Sequence, residues 1–516
     1  MIKNIKWLLL VSLTFVACSD DEDVTTYDTS DGLPLTAGSA DFTKYVALGN
    51  SLTAGYADNA LFIQGQQDSY TNLLSQQFSL IGGGEFKIPL MNDNVGGLLL
   101  GGTQIQGPRL YFNGTGPVPV SGTPSTEITN HLSGQFNNMG VPGAKSFHLL
   151  SNSYGNPAGI GTYANPYFVR FASSTSATIL GDAVAQSPTF FSLWIGNNDV
   201  LSYATSGGTG TNQSGNLNPA TYGGNDITDP NVFASVYSTL LDGITAGGAK
   251  GVVANIPYVT SVPFFTTVPT NPIPGLPAAS ATSLNQLFGG INAALTGAGL
   301  PTRFATIVAD DANPATIEKN PLLIVDDSLI NISTQITTAL ISAGYPAPTA
   351  GFIGNLYGRA RHASNVAPNK DYILLTARGV IGTTQAGVPA SFSTIGVSYP
   401  MQDNTTLTAF ETSEVKTATD AFNASIQALA AAKDLAFVDA NALLNQVATT
   451  GISGNGYTVK STYVTGGGFS LDGVHPGPRG YALISNKFIE AINTAYGSNF
   501  KGVSLASSRI LYPASL

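Results

Sequence analysis

Short apolar runs alternate with stretches of helical periodicity between residues 44 and 497. The apolar runs are short enough for buried strands, and one face of the longer stretches is apolar at helical spacing. The predicted strands are 44–48, 189–195, 251–256 and 436–438, and the predicted helices are 68–78, 228–246, 413–435 and 478–495. Because strands that alternate with helices form parallel sheets covered on both faces, the pattern predicts a three-layer α/β/α sandwich with a central parallel sheet.

Helix-boundary signals support two of these helices. Asp229 precedes Pro230, which is the order expected of a capping residue followed by a proline in the first turn. Gly247 and Gly248 then stop that helix. Gly497 stops the last helix in the same way.

Two stretches do not follow the alternating pattern and are predicted to be insertions. Residues 96–134 are crowded with Gly, Pro, Thr and Ser, and residues 258–410 begin with a series of prolines. Within the second stretch, short strands are predicted at 322–325 and 372–376. We expect both insertions to lie beside the carboxyl ends of the sheet strands. A separate domain is the alternative for 258–410, although no clean linker marks one.

Composition indicates a globular protein that does not bind nucleic acid. Of 516 residues, 43% are hydrophobic and 10% are charged, which is too apolar for a disordered chain. The net charge is −10, and no cluster of Lys and Arg is visible that could contact a phosphate backbone. Both features argue against a nucleic-acid partner.

Four short motifs in one order carry the candidate chemistry. They are Gly49-Asn50-Ser51-Leu52, Gly140-Val141-Pro142-Gly143, Gly196-Asn197-Asn198-Asp199 and Asp472-Gly473-Val474-His475. A serine becomes a nucleophile when an imidazole takes its proton, and a carboxylate orients that imidazole. Backbone amides at small residues and an Asn side chain can stabilise the oxyanion that follows. The set therefore supplies the groups needed for acyl transfer.

These motifs resemble those of the SGNH hydrolases, also called the GDSL family. The resemblance implies a flavodoxin-like fold carrying the large insertions, with Ser51 as nucleophile and first oxyanion donor. It also implies Gly143 and Asn198 as the other oxyanion donors, Asp472 as the carboxylate and His475 as the base. The family usually has Asp where this chain has Asn50, a position that organises the turn, and Asn also tolerates turn conformations.

The expected activity is serine-dependent hydrolysis of carboxylic esters through an acyl-enzyme, with no metal and no cofactor. Lipid esters and acetylated glycans remain alternative substrates, and a non-catalytic surface binding protein with the same fold remains an alternative of another class. The other three histidines, His131, His148 and His362, are interpreted as surface or packing residues. The expected partner is a small-molecule, glycan or lipid ester, and the protein is expected to be a monomer.

The amino terminus predicts a bacterial lipoprotein. Two lysines precede an apolar run, and small Ala17 precedes Cys18, which is the only cysteine. In the lipoproteins that this pattern resembles, cleavage leaves the cysteine as an acylated N-terminus that holds the protein on a membrane. Ser19 and the four acidic residues 20–23 resemble surface-export signals of Bacteroidetes-type lipoproteins, with the start of a solvated linker as the alternative, so we expect a surface-exposed outer-membrane lipoprotein. The expected divisions are a signal peptide at 1–17, a lipid-anchored linker at 18–40, the hydrolase domain at 41–497 and a tail at 498–516.

Overall fold

The computed structural model describes residues 31–313 and 317–516. The predicted signal peptide and lipidation site at Cys18 therefore lie outside the described residues. No helix within the described ranges combines the length and the hydrophobicity needed to cross a membrane.

The strands and helices below are numbered in chain order. The strands are β1 (Tyr45–Gly49), β2 (Leu98–Leu100), β3 (Thr103–Gln106), β4 (Leu110–Phe112), β5 (Pro117–Pro119), β6 (Asn138–Gly140), β7 (Phe190–Trp194), β8 (Lys250–Ala254), β9 (Ile273–Pro274), β10 (Lys319–Asn320), β11 (Leu323–Val325), β12 (Ala360–His362), β13 (Tyr372–Ile373), β14 (Thr406–Leu407), β15 (Ala436–Val438), β16 (Ile452–Gly454) and β17 (Tyr457–Val459). The helices are α1 (Ser51–Ala54), α2 (Ile63–Gln67), α3 (Tyr70–Ser79), α4 (Pro166–Val169), α5 (Ile179–Val184), α6 (Asn198–Thr205), α7 (Pro230–Thr245), α8 (Pro263–Thr266), α9 (Ala278–Gly297), α10 (Ser333–Ser342), α11 (Ala347–Tyr357), α12 (Ala409–Ala432), α13 (Ala440–Thr449) and α14 (Pro478–Tyr496).

A parallel sheet of five strands forms the centre of the protein, in the order β15-β8-β7-β1-β6. Numbered along the chain, these five strands lie in the order 2-1-3-4-5, which is one of the two common doubly wound arrangements. The strand order reverses between β1 and β7. In such sheets, ligands bind outside the carboxyl ends of the strands at this point. The prediction of an α/β protein with a central parallel sheet is confirmed.

Helices cover both faces of the sheet because its strands alternate their side chains between two apolar clusters. Val46 and Leu48 of β1 belong to a cluster with α6, α7 and α12. Tyr45 and Ala47 belong to the opposite cluster, with α3 and α14. Successive strand residues point to opposite faces, so both faces need apolar side chains and the strands read as continuous apolar runs.

Side-chain caps fix the starts of the long helices α7 and α12. Asp229 Oδ1 accepts from the backbone N–H groups of Asn231 at 2.8 Å and Val232 at 3.0 Å, as the sequence predicts. Helix α12 begins four residues earlier than predicted, because Thr408 and Glu411 form a capping box. The Glu411 carboxylate accepts from the Thr408 N–H at 2.7 Å.

The two predicted insertions contain small structures of their own. Residues 96–134 form the hairpins β2–β3 and β4–β5. Residues 258–410 contain α9, α10 and α11 around a separate apolar cluster. The predicted strand at 372–376 is wrong beyond Ile373, because the chain turns there into a 3-10 helix at Leu375–Gly379.

The segment expected to be a tail packs on the domain. Phe500 and Tyr512 are buried. The Arg109 guanidinium donates hydrogen bonds to the carbonyl oxygens of Pro513 at 2.7 Å and Ala514 at 3.2 Å. Residues 498–514 therefore contribute to the structure of the domain.

Candidate active site

Ser51 lies at the start of α1, immediately beyond the carboxyl end of β1. Asn50 caps this short helix, because its Oδ1 accepts from the Leu52 N–H at 3.1 Å. The Asn50 amide also donates to Asn197 Oδ1 at 3.2 Å, which joins the turn after β1 to the turn after β7. At Gly49, a Cβ atom would collide with the Trp194 carbonyl oxygen, so the turn requires glycine there.

Ser51, His475 and Asp472 form a continuous chain of hydrogen bonds. Ser51 Oγ lies 2.8 Å from His475 Nε2. His475 Nδ1 lies 2.9 Å from Asp472 Oδ2. The two last residues belong to the loop that precedes α14, and the three side chains have the order of nucleophile, base and orienting carboxylate.

Asp472 is held as a carboxylate by its surroundings. Burial by itself would raise its pKa, but neighbouring His475 and the backbone N–H groups of His475 and Val474 lower the pKa below its usual value. Both N–H groups donate to Asp472 Oδ1 at 2.8 Å. The negative charge on Asp472 can therefore stabilise an imidazolium on His475.

Gly143 follows β6 and Asn198 follows β7, the two strands on either side of β1, and both residues border the same cavity as Ser51. Gly143 follows β6 with a φ of 83°, a conformation that favours glycine. Asn198 begins α6, and its amide donates to the carbonyl oxygen of Ala144 at 2.9 Å. Asn165 holds the same loop by donating to the Pro142 carbonyl oxygen at 2.8 Å. The structure thus brings all five sequence-predicted site residues together.

Asp199 is a supporting residue that the sequence reasoning did not single out. It is fully buried, and its carboxylate accepts from the Ser146 backbone N–H at 2.8 Å and from Ser146 Oγ at 2.7 Å. These bonds join the start of α6 to the loop that follows Gly143. Asp199 therefore fixes the relative positions of the two candidate oxyanion donors.

Two cavities of different character meet at Ser51 and His475. One has a volume of about 100 Å³ and runs inward between α13 and α14, with aliphatic side chains on most of its wall. The other has a volume of about 350 Å³ and is bordered by polar groups, among them Tyr56, Asn59, Gln106 and Tyr167. The serine hydroxyl thus lies at a boundary between an apolar and a polar space.

Tyr56 and Asn59 contact His475 and Asp472 directly, although no motif points to them. The Tyr56 ring packs on the His475 ring with centroids 4.6 Å apart. The Asn59 backbone N–H donates to Asp472 Oδ2 at 3.1 Å. The one hint in the sequence is that both residues follow Ser51 closely along the chain. The residues around them do so equally, so this hint could not single out Tyr56 and Asn59.

The second insertion also supports the loop of His475. The Phe264 backbone N–H donates to the Gly473 carbonyl oxygen at 2.9 Å. Phe264 borders the polar cavity, while Val259 and Val262 border the apolar one. Residues just after β8 therefore form part of the site wall.

A buried acid, Asp58, lies behind the Asp472 loop. Its Oδ1 accepts from the Leu471 N–H at 2.8 Å, and its backbone N–H donates to Ser470 Oγ at 3.0 Å. Its Oδ2 has no hydrogen-bond partner among the described residues. The pKa of Asp58 is raised to about 7. Burial is the main cause, and the charge on Asp472 adds to the rise, whereas the Leu471 N–H and Arg109 lower the pKa.

The other three histidines lie elsewhere. His131 Nε2 bonds the Ala172 carbonyl oxygen at 2.8 Å, His148 stacks on Tyr154, and His362 packs edge-on against Phe288. Within residues 31–313 and 317–516, one group of three acidic side chains could converge on a metal ion: Asp310, Asp311 and Glu318. None of these three borders either cavity at Ser51.

Comparisons of the chain with protein-family models, with curated proteins and with solved structures found no match.

We expect Asp58→Asn to remove a pH-dependent loss of stability. Between about pH 4 and 7 the unfolded chain releases the Asp58 proton while the folded protein retains it, so stability falls as the pH rises. The rise in the pKa of Asp58 from 3.8 to about 7 corresponds to roughly 4 kcal/mol of destabilisation at high pH. The variant keeps an acceptor for Leu471 and cannot ionise. Its Tm relative to the unsubstituted protein should therefore be higher at pH 8 than at pH 5; an equal difference at both pH values would contradict the assignment.

Proposed function

We propose that the protein is a serine-dependent carboxylic ester hydrolase of the SGNH type that works through an acyl-enzyme. The observation that carries the proposal is the hydrogen-bonded chain from Ser51 through His475 to Asp472, which opens onto two cavities. The 2-1-3-4-5 strand order supports the same assignment, as do the positions of Gly143 and Asn198 beyond the strands on either side of β1.

In the proposed mechanism, Ser51 Oγ attacks the ester carbonyl carbon while His475 Nε2 takes the hydroxyl proton. The developing oxyanion is stabilised by the backbone N–H groups of Ser51 and Gly143 and by the Asn198 amide. Collapse of the tetrahedral intermediate breaks the bond to the alcohol oxygen, which leaves with the proton held on His475. Water then attacks the acyl-enzyme, gives its proton to His475 and releases the carboxylic acid. Asp472 stabilises the imidazolium in both halves of the reaction.

Asn50 supports turnover in place of the family's usual Asp. Its side-chain oxygen accepts from the Leu52 N–H and its amide nitrogen bonds Asn197. A carboxylate could accept the first bond but could not donate the second. The Asn therefore organises the turn through its own pair of contacts, and it leaves Ser51 within reach of His475.

Ser51→Ala should lower esterase activity by about three orders of magnitude or more, because the members of a catalytic triad act as a unit. His475→Ala should cause comparable damage. The measurement is hydrolysis of nitrophenyl esters together with labelling by a fluorophosphonate probe. The control is His131→Ala, which leaves both cavities intact. Unlabelled, inactive protein with Ser51 in place would instead favour a non-catalytic binding protein.

Asn198→Ala should lower kcat by roughly 100- to 1,000-fold and change KM little, because a donor aimed at developing charge acts in the transition state. The variant also loses the bond to the Ala144 carbonyl oxygen, so a modest fall in Tm is expected as well. Steady-state kinetics and a melting curve on the same sample separate the two effects. A lower Tm with unchanged kcat would remove Asn198 from the oxyanion site.

The cell envelope is the proposed location, with the protein held as an outer-membrane lipoprotein through Cys18. The support is the order of positive, apolar and small residues before that cysteine. Cys18→Ser should release the protein from the membrane fraction or leave an uncleaved precursor. Metabolic labelling with palmitate checks the proposal, since protein that carries no label would contradict it.

A further inference from the structure

We infer that the apolar cavity binds the acyl chain of the substrate, and that this chain is of medium length, so the natural ester is lipid-like rather than an acetyl ester. This inference rests on the proposed function and adds the substrate class to it. The observations that carry it are the lining, the position and the extent of the cavity.

The cavity wall is built from one face of each of two helices. Ala440, Leu443, Leu444 and Val447 follow the spacing of a single face of α13. The opposite wall comes from α14, with Leu483 and Ile484. Neither helix contributes a charged side chain to the wall.

The mouth of the cavity is the catalytic centre. Ser51, Asn198 and His475 border it, and the same three residues border the polar cavity. An acyl group attached to Ser51 Oγ therefore has an apolar space directly beside its carbonyl carbon. The alcohol portion of an ester then faces the polar cavity.

A cavity between packed helices is costly, because protein interiors are close-packed and a void forfeits contacts that its lining could make. Filling this space would need only larger side chains on α13 or α14. A bound alkyl chain would recover the lost contacts. An acetyl group is too short to reach beyond the mouth, so it would leave most of the cavity unused.

The length of the cavity sets the length of the chain. From Ala440 to Val447 the face of α13 extends about 10 Å, at 1.5 Å per residue. An extended alkyl chain zigzags, so each carbon–carbon bond of about 1.5 Å advances it by about 1.25 Å, and about 10 Å corresponds to roughly eight carbons counted from the mouth. Val447, Val459 and Leu483 pack together in one apolar cluster at the far end, which limits longer chains.

The polar cavity indicates the kind of alcohol. Apart from Asp472 and His475, its polar lining consists of neutral hydroxyl and amide groups, including Tyr56, Gln106 and Tyr167. No Lys or Arg side chain is among its lining residues. The lining therefore fits an uncharged, hydroxyl-bearing leaving group.

The first test is the chain-length profile of the full-length protein with nitrophenyl esters from acetyl to hexadecanoyl. Each methylene buried in an apolar site contributes roughly a fourfold gain in binding. We expect kcat/KM to rise at least tenfold from butanoyl to octanoyl and to fall for hexadecanoyl. A profile that is highest for acetyl would overturn the acyl-chain inference while leaving the hydrolase proposal standing.

The second test fills the far end of the cavity. Val447→Phe should lower the ratio of octanoyl to acetyl kcat/KM by at least tenfold. Because a folding defect would lower both rates alike, the ratio separates loss of the cavity from loss of fold. Ala448→Phe is the matched control, since the neighbouring Ala448 is exposed and does not border the cavity. An unchanged ratio in Val447→Phe would contradict the inference.

Binding without turnover separates this inference from the proposed function. Calorimetric titration of Ser51→Ala with octanoate should show binding, and the Val447→Phe/Ser51→Ala protein should bind at least tenfold more weakly. Octanoate binding combined with no hydrolysis of any ester by the unsubstituted protein would overturn the hydrolase proposal alone. Failure of Ser51→Ala to bind octanoate would overturn the acyl-chain site.

Discussion

The hydrogen bond between Ser51 and His475 is the contact on which the site depends, because it joins positions 424 residues apart in the chain. A bond of this kind weakens steeply when its distance or angle changes, so the loop that carries His475 has to be fixed. Contacts from other segments do this. Asp58 binds the Leu471 N–H, Asn59 binds the Asp472 carboxylate, and Phe264 binds the Gly473 carbonyl oxygen.

The parallel sheet supplies the other half of the site. Since all five strands run in the same direction, the turns after β1, β6 and β7 meet at one edge, and they bring Ser51, Gly143 and Asn198 to a common space. Bonds between those turns then refine the arrangement. Asn50 bonds Asn197, which joins the turns after β1 and β7, and Asp199 bonds Ser146, which joins the turn after β7 to the loop after β6.

Local signals in the sequence were enough for elements whose boundaries are set by nearby residues. The helix after Asp229 begins where the cap and Pro230 place it, and α14 ends at Gly497, which has a left-handed conformation. The start of α12 was missed because its capping box lies before the periodic stretch. The strand predicted at 372–376 was too long because β13 is a two-residue pairing with β14, so distant contacts and not the local apolar run decide its end.

By itself, the sequence determined the α/β class and four of the five central strands, with β6 missed, and it predicted the five residues proposed to carry acyl transfer, because periodicity, caps and short motifs are local properties. The tertiary structure alone decided which groups surround those residues. Tyr56 packs on His475, Asp199 fixes the loop after Gly143, and the apolar cavity forms between α13 and α14. These features arise from contacts between segments far apart in the chain. The strength of such a contact depends on the distance between the groups and on their burial. The spacing of residues within one segment gives neither quantity.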